Sequence, residues 1–199
     1  VRDAFASFAA RRFDWVVEDD FVAGRPAWQH GGARFVGDAR PYETLKLRMV
    51  NGSHSALAYL GAVAGWETVS RAVAVPAMRR YLETMLHDEI APTLPMLDGF
   101  DIDDYRARLM QRYANPALQH RTQQIAMDGS QKIPQRLLAT VRDRREAGLG
   151  YDRVALAIAG WVHYLGGVDE AGARYDIADP LAQELVARLV EIDRSAHDA

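Results

Sequence analysis

The chain has 199 residues, 49% apolar and 26% charged, with a net charge of -3 and no cysteine. That length suffices for one domain with a substantial core, or one domain plus part of another, and the charge balance offers no footprint for nucleic acid or an anionic membrane. No apolar run approaches the roughly 20 residues that span a bilayer, Val1 opens no secretory-leader pattern, and the lack of thiols excludes disulfides and thiolate metal sites, which fits a cytoplasmic setting.

Helical spacing of Phe5, Phe8 and Ala9 predicts a short helix from Val1 to Arg12. Phe13, Trp15 and Val17 then alternate with other residues up to Glu18-Asp19-Asp20, as in a short strand ending near Phe21. Gly24 to Gln29 reads as a loop, and Ala33 to Val36 as a second short strand before a turn at Gly37-Asp38. From Pro41, a preferred first-turn residue, the helical period takes over and runs to Leu60.

Further helices are expected over Trp66–Ala74, from Pro76 to near Ile90, and from a cap at Asp101 through Tyr105, Leu109 and Tyr113. His87, Asp88 and Glu89 read as a solvated face, and Gly61 and Gly65 as positions of close helix packing or bending. The stretch Asn115 to Pro134 is rich in loop formers. Three amphipathic helices follow, at about Gln135–Glu146, Tyr151–Leu165 and Pro180–Asp193, with Trp161 and Tyr164 in the core and a hairpin-like connection over Gly166–Gly172.

The Pro41 helix carries an uncommon polar inventory. At roughly 100° per residue, Glu43, Lys46 and His54 fall on one side with Asn51 at its edge, spanning about 140°, while Leu45, Met49 and Leu60 take the other. Taken alone, Glu43 and Lys46 are an ordinary solvated pair, and a lone histidine among apolar neighbours is ordinarily structural. In the Asn115–Pro134 stretch, Asp128 and Ser130 can simply cap a helix and leave Lys132 in solvent. No His-x3-His or His-Glu-x2-His spacing occurs, so no catalytic metal is expected.

Lys46-x4-Asn51-x2-His54, within Lys-Leu-Arg-Met-Val-Asn-Gly-Ser-His-Ser, resembles the signature of the mannitol dehydrogenase family, the polyol-specific long-chain dehydrogenases. Gly24-Arg25-Pro26-Ala27-Trp28, Asn115-Pro116-Ala117-Leu118 and Met127-Asp128-Gly129-Ser130-Gln131-Lys132 extend the likeness in the expected order, from about Trp15 to about Pro180. The resemblance implies a mainly α, multi-helix C-terminal domain over residues 41–199, like that of 6-phosphogluconate dehydrogenase. Residues 1–40 would be an α/β remnant of a Rossmann domain. No Gly-x-Gly-x-x-Gly follows a strand in this sequence, so the NAD site is expected upstream of Val1, and the isolated chain is expected to be inactive.

The same resemblance implies a metal-independent mechanism on a sugar acid or polyol. Lys46 would be the general acid/base, Asn51 a donor to the reacting oxygen, His54 a partner of that oxygen or a substrate hydroxyl, and Glu43 a proton exit. A further asparagine of the oxygen pocket would lie before Val1. Lys132 would bind substrate hydroxyls. Where mannitol-oxidising members carry a substrate-binding arginine, this chain has Gln124, and with Leu118-x-His120-Arg121-Thr122 it looks most like the fructuronate reductase (D-mannonate oxidoreductase) branch. Arg121 is a candidate for a substrate carboxylate, which a guanidinium fork suits, and equally for a structural ion pair. A mannitol/arabinitol 2-dehydrogenase, and a helical interaction module without chemistry, are the alternatives.

Overall fold

A parallel pair of three-residue strands, β1 (Val16–Glu18) and β2 (Arg34–Val36), is the whole of the sheet in the computed structural model, which describes residues 15–197 and side chains up to 192. The helix expected over Val1–Arg12 lies outside the described residues. The strands start slightly later than the alternating pattern suggested, with Val16 opposite Arg34 and Glu18 opposite Val36. Trp28 and Phe35 stack with ring centroids 6.5 Å apart, Phe21 meets both edge-on, and Arg25 lies 3.7 Å above the Phe35 ring. This cluster supplies the apolar contact that two short strands need, since a two-stranded ribbon alone is marginal in water. The unit ends at Thr44, within helix α1 (Arg40–Leu45).

The second unit begins at Leu45 and is helical. The long helix read from Pro41 to Leu60 is there, with one change: Lys46–Gly52 winds as a π-helix before α2 (Ser53–Val63) resumes the α pitch. Helix α2 is buried nearly all round and forms the axis of the core. Around it come α3 (Val69–Ala74), α4 (Pro76–Thr84) with a π segment Met85–Ile90, α5 (Ile102–Tyr113), the short α6 (Thr122–Ala126) and α7 (Gly129–Ile133), a π segment Pro134–Leu138, α8 (Ala139–Glu146), α9 (Asp152–Tyr164) and α10 (Ala182–His197). Asp101 caps α5 as its sequence suggests, accepting the Asp104 N–H at 2.9 Å. The hairpin-like connection closes by an antiparallel bridge between Val168 and Arg174.

Gly61 is where α6 comes closest, because a Cβ there would stand 2.9 Å from Thr122 Cγ2. Gly65 takes φ +71° and ends α2, as a left-handed C-terminal residue does. One expectation is corrected. Glu89 is not on a solvated face: it is 2% exposed, and its carboxylate accepts the Arg153 and Val154 N–H groups at 3.0 and 2.8 Å, capping α9. Only His87 and Asp88 form the exposed pair, at 2.6 Å. The stretch Asn115–Pro134, rich in loop formers, holds two short helices joined by a sharp bend.

Candidate active site

The π segment Lys46–Gly52 carries the first motif. Its i→i+5 bonding inserts residues relative to an α-helix and shifts the angular phase, so the 100° arithmetic does not hold across it. Such segments recur at functional sites because they free carbonyls and re-aim side chains. Here the carbonyls have partners. Ser53 Oγ donates to Met49 O and, at 3.2 Å, to Val50 O. Tyr113 Oη donates to Val50 O at 3.1 Å and stands 2.7 Å from Ser53 Oγ. Tyr113 therefore fixes the exit of the π segment from α5, and neither residue was among the sequence candidates.

Lys46, at the start of the segment, is exposed, and Asn51, near its end, is half-buried. His54 follows in the first turn of α2. Its ring centroid lies 4.7 Å from that of Tyr113 and 6.0 Å from that of His120. Burial, assisted by His120, Arg112 and Arg136, pulls the imidazole down to a pKa of about 3. It is therefore neutral at any working pH, with one ring nitrogen as donor and the other as acceptor. Nε2 is buried with no hydrogen-bond partner among the described residues.

The stretch that leads into the second motif is strapped to the turn after α2 and to the first residue of α3. Thr122 Oγ1 donates to Trp66 O at 2.7 Å, its N–H to Glu67 O at 3.0 Å, and Val69 N–H donates to His120 O at 2.9 Å. Asp128 is the one non-glycine residue with positive φ among those described, at 56°. Asp128 N–H donates to Ala178 O at 2.8 Å, and Ser130 N–H to Asp179 Oδ2 at 2.7 Å. Gly129 admits no side chain, since a Cβ would stand 2.8 Å from Tyr59 Oη and closer still to Trp161 Nε1. The Asp-Gly-Ser sequence is thus the bend itself, and it launches α7 and Lys132.

Lys132 Nζ turns back onto its own bend, donating to Met127 O at 2.5 Å and Ile125 O at 3.4 Å, with Asp128 Oδ2 at 3.9 Å. Burial, then Arg136, holds its pKa below the usual lysine range. The π segment after it abuts the first motif: a Cβ on Gly52 would lie 2.9 Å from Arg136 O, and Arg136 Nη1 donates to Ser55 Oγ at 3.2 Å. Arg136, one turn after Lys132, thus packs against Gly52 and Ser55 of the first motif. The remaining candidates sit otherwise: Glu43 is exposed in α1, and Gln124 is exposed in α6. Arg121 is exposed and lines a cleft of about 170 Å³ with Glu67 and Asp169 among others. A wider groove of about 630 Å³, lined by Arg79, Glu83, His87 and Arg106 among others, contains none of the candidates.

Residues 38–199 match the model of the mannitol dehydrogenase C-terminal domain. The chain belongs to the mannitol dehydrogenase family. It is 51% identical over 170 residues to D-mannonate oxidoreductase of Escherichia coli K12, covering 85% of this chain and 35% of that one. With mannitol dehydrogenase 2 of Saccharomyces cerevisiae it shares 36% identity over 199 residues, all of this chain and 40% of the relative. Among solved structures, Pseudomonas fluorescens mannitol 2-dehydrogenase, in ternary complex with NAD and D-mannitol, superposes with a TM-score of 0.81 at 38% identity, over 85% of this chain and 35% of that one. The chain therefore spans well under half the length of these relatives, and the mainly α C-terminal fold inferred from its motifs is shown.

Proposed function

We propose that this chain is the catalytic and substrate-binding part of a longer NAD-dependent oxidoreductase that interconverts D-mannonate and D-fructuronate. Residues 41–199 would form that part, and residues 1–40 the tail of the nucleotide-binding domain. The observation that carries the reading is His54: a neutral imidazole held by a π-helix exit, with a buried nitrogen that nothing in the described chain pairs. Leaving a buried polar atom without a partner costs about 1–3 kcal/mol, which a substrate hydroxyl or carbonyl offsets on binding.

NAD, when bound, accepts or returns the hydride. The chain's own residues handle the proton and the oxygen. Lys46 takes the hydroxyl proton during oxidation and returns it during reduction, with Glu43 as exit to solvent. The Asn51 amide donates to the oxygen as negative charge gathers there, and His54 fixes it or the adjacent hydroxyl. Lys132 holds a distal hydroxyl after leaving the carbonyls of its bend. The donor set is that of a sugar chain beside a nicotinamide, and the phosphate-binding elements would be supplied by the part of the protein outside this chain. The sugar-acid branch is supported by the 51% identity to D-mannonate oxidoreductase against 36% to mannitol dehydrogenase 2, and by Gln124. A polyol substrate is the second reading, favoured by the close superposition on an enzyme complexed with D-mannitol.

The test is NADH consumption by the full-length protein offered D-fructuronate and D-fructose side by side. Fructuronate should be preferred, and Lys46→Ala should lower kcat by at least about a thousandfold. Preference for fructose moves the protein to the polyol branch, whereas retained pH-dependent turnover in Lys46→Ala removes lysine as the base.

A further inference from the structure

We propose that His120, rather than Arg121, reads the carboxylate of the substrate and so sets the preference for a sugar acid over a polyol. The inference rests on the oxidoreductase reading above and adds the group that would select within it. His120 follows the Asn115–Leu118 turn and precedes α6, and its backbone carbonyl is pinned by Val69 N–H at 2.9 Å, which holds the residue against the start of α3. Its ring lies edge-on to His54, with centroids 6.0 Å apart and planes at 76°. In D-fructuronate the carboxylate carbon is four carbon–carbon bonds from the carbonyl carbon, roughly 5 Å for an extended chain. A substrate whose reacting oxygen or neighbouring hydroxyl engages His54 Nε2 therefore brings its acid end within reach of the next ring.

The surroundings favour an anion there. Arg112 at the last turn of α5 and Arg136 join His120 in raising the positive potential at His54, and Arg112 has no ion-pair partner among the described residues. An imidazole N–H donates to a carboxylate oxygen in either protonation state. Arg121 is placed differently. Although adjacent in sequence, it pairs across an antiparallel bridge with Thr68 and lines the cleft that contains Glu67 and Asp169, two carboxylates that would oppose a third. Consecutive residues in extended backbone point to opposite sides, so the strap that turns His120 towards His54 turns Arg121 away.

The deciding experiment measures kcat/KM of the full-length enzyme for D-fructuronate and for D-fructose, in the wild type, His120→Ala, His120→Asn and Arg121→Ala. The fructuronate-to-fructose ratio should fall at least tenfold in His120→Ala, less in His120→Asn, which keeps a donor, and not in Arg121→Ala. If fructose turnover is too slow to measure, the inhibition constants of D-mannonate and D-mannitol report the same discrimination at the level of binding. Should the alanine variant lose its fold on thermal melting, the asparagine variant carries the result. An unchanged ratio in both His120 variants, an equal loss on both substrates, or a loss confined to Arg121→Ala overturns the inference while leaving the oxidoreductase reading intact. A wild type with no preference for the acid overturns the sugar-acid reading and this inference together.

Discussion

Two π-helical segments bring a polar side chain into the same helical core, and they end differently. At Met85–Ile90 the Glu89 carboxylate accepts the Arg153 and Val154 N–H groups and, at 3.3 Å, Arg153 Nη1. The carbonyls of Asp88 and Glu89 take Arg144 Nη1 at 2.8 and 3.1 Å. These acceptors thus have donors from α8 and α9. At Lys46–Gly52 the freed carbonyls are likewise satisfied, by Ser53 and Tyr113, but the imidazole one turn later keeps Nε2 unpaired. A fully paired buried group is architecture, since it holds helices in register. A buried group held rigidly with an open valence can take up a partner from outside the fold.

The widest separation between the two should appear in acid. The folded pKa of His54 is about 3, below its unfolded value of 6.5, so the unfolded chain binds a proton in that window and the folded chain does not. The stability tied to the neutral ring is fully present above pH 6.5 and drains away as pH falls towards 3, by at most about 1.4 kcal/mol per pH unit. Over the whole window the loss is roughly 5 kcal/mol. Unfolding midpoints from pH 7.5 to 4.5 should drop less steeply for His54→Asn than for the wild type. Parallel slopes would show that His54 is not buried as a neutral ring.

Glu89→Ala comes next, with an expected loss of about 3 kcal/mol, because the α9 N–H groups lose their buried acceptor and Arg153 its partner. The same substitution should leave the fructuronate-to-fructose ratio of the full-length enzyme where it was. A shift in that ratio larger than the loss in melting temperature explains would mean that this segment, too, faces substrate.

The contrast between the segments was only partly legible in the sequence. Amphipathic spacing and caps revealed α5, α9 and the long helix into α2, because those signals are local. The π bulges left no trace, since their i→i+5 bonds depend on packing partners such as Tyr113, 63 residues from Val50. Glu89 was misread for the same reason: its neighbours His87 and Asp88 are polar and exposed, while its own burial is decided by α9 arriving 64 residues later. The motif residues could be placed on one helix by their resemblance to a family signature. That resemblance did not reveal that Lys132 bonds its own bend, or that His120 rather than Arg121 faces His54.

Tyr113→Phe is the smallest change and the sharpest test of what the π segment does. It removes the hydrogen bond to Val50 O and the contact with Ser53 Oγ but keeps the ring that packs against His54. Ser53 still reaches Val50 O, so no carbonyl is orphaned and the stability cost should be only about 1 kcal/mol. If the tyrosine serves the fold alone, kcat should be unchanged at temperatures where the variant is folded. If it fixes the exit geometry that aims Asn51 and His54, kcat should fall about tenfold while KM for NAD stays put, because loosened donors weaken stabilisation of the developing oxygen charge and leave the cofactor site untouched. The second outcome is expected, since Tyr113 holds the Val50 carbonyl, which lies one residue before Asn51 and one turn before His54.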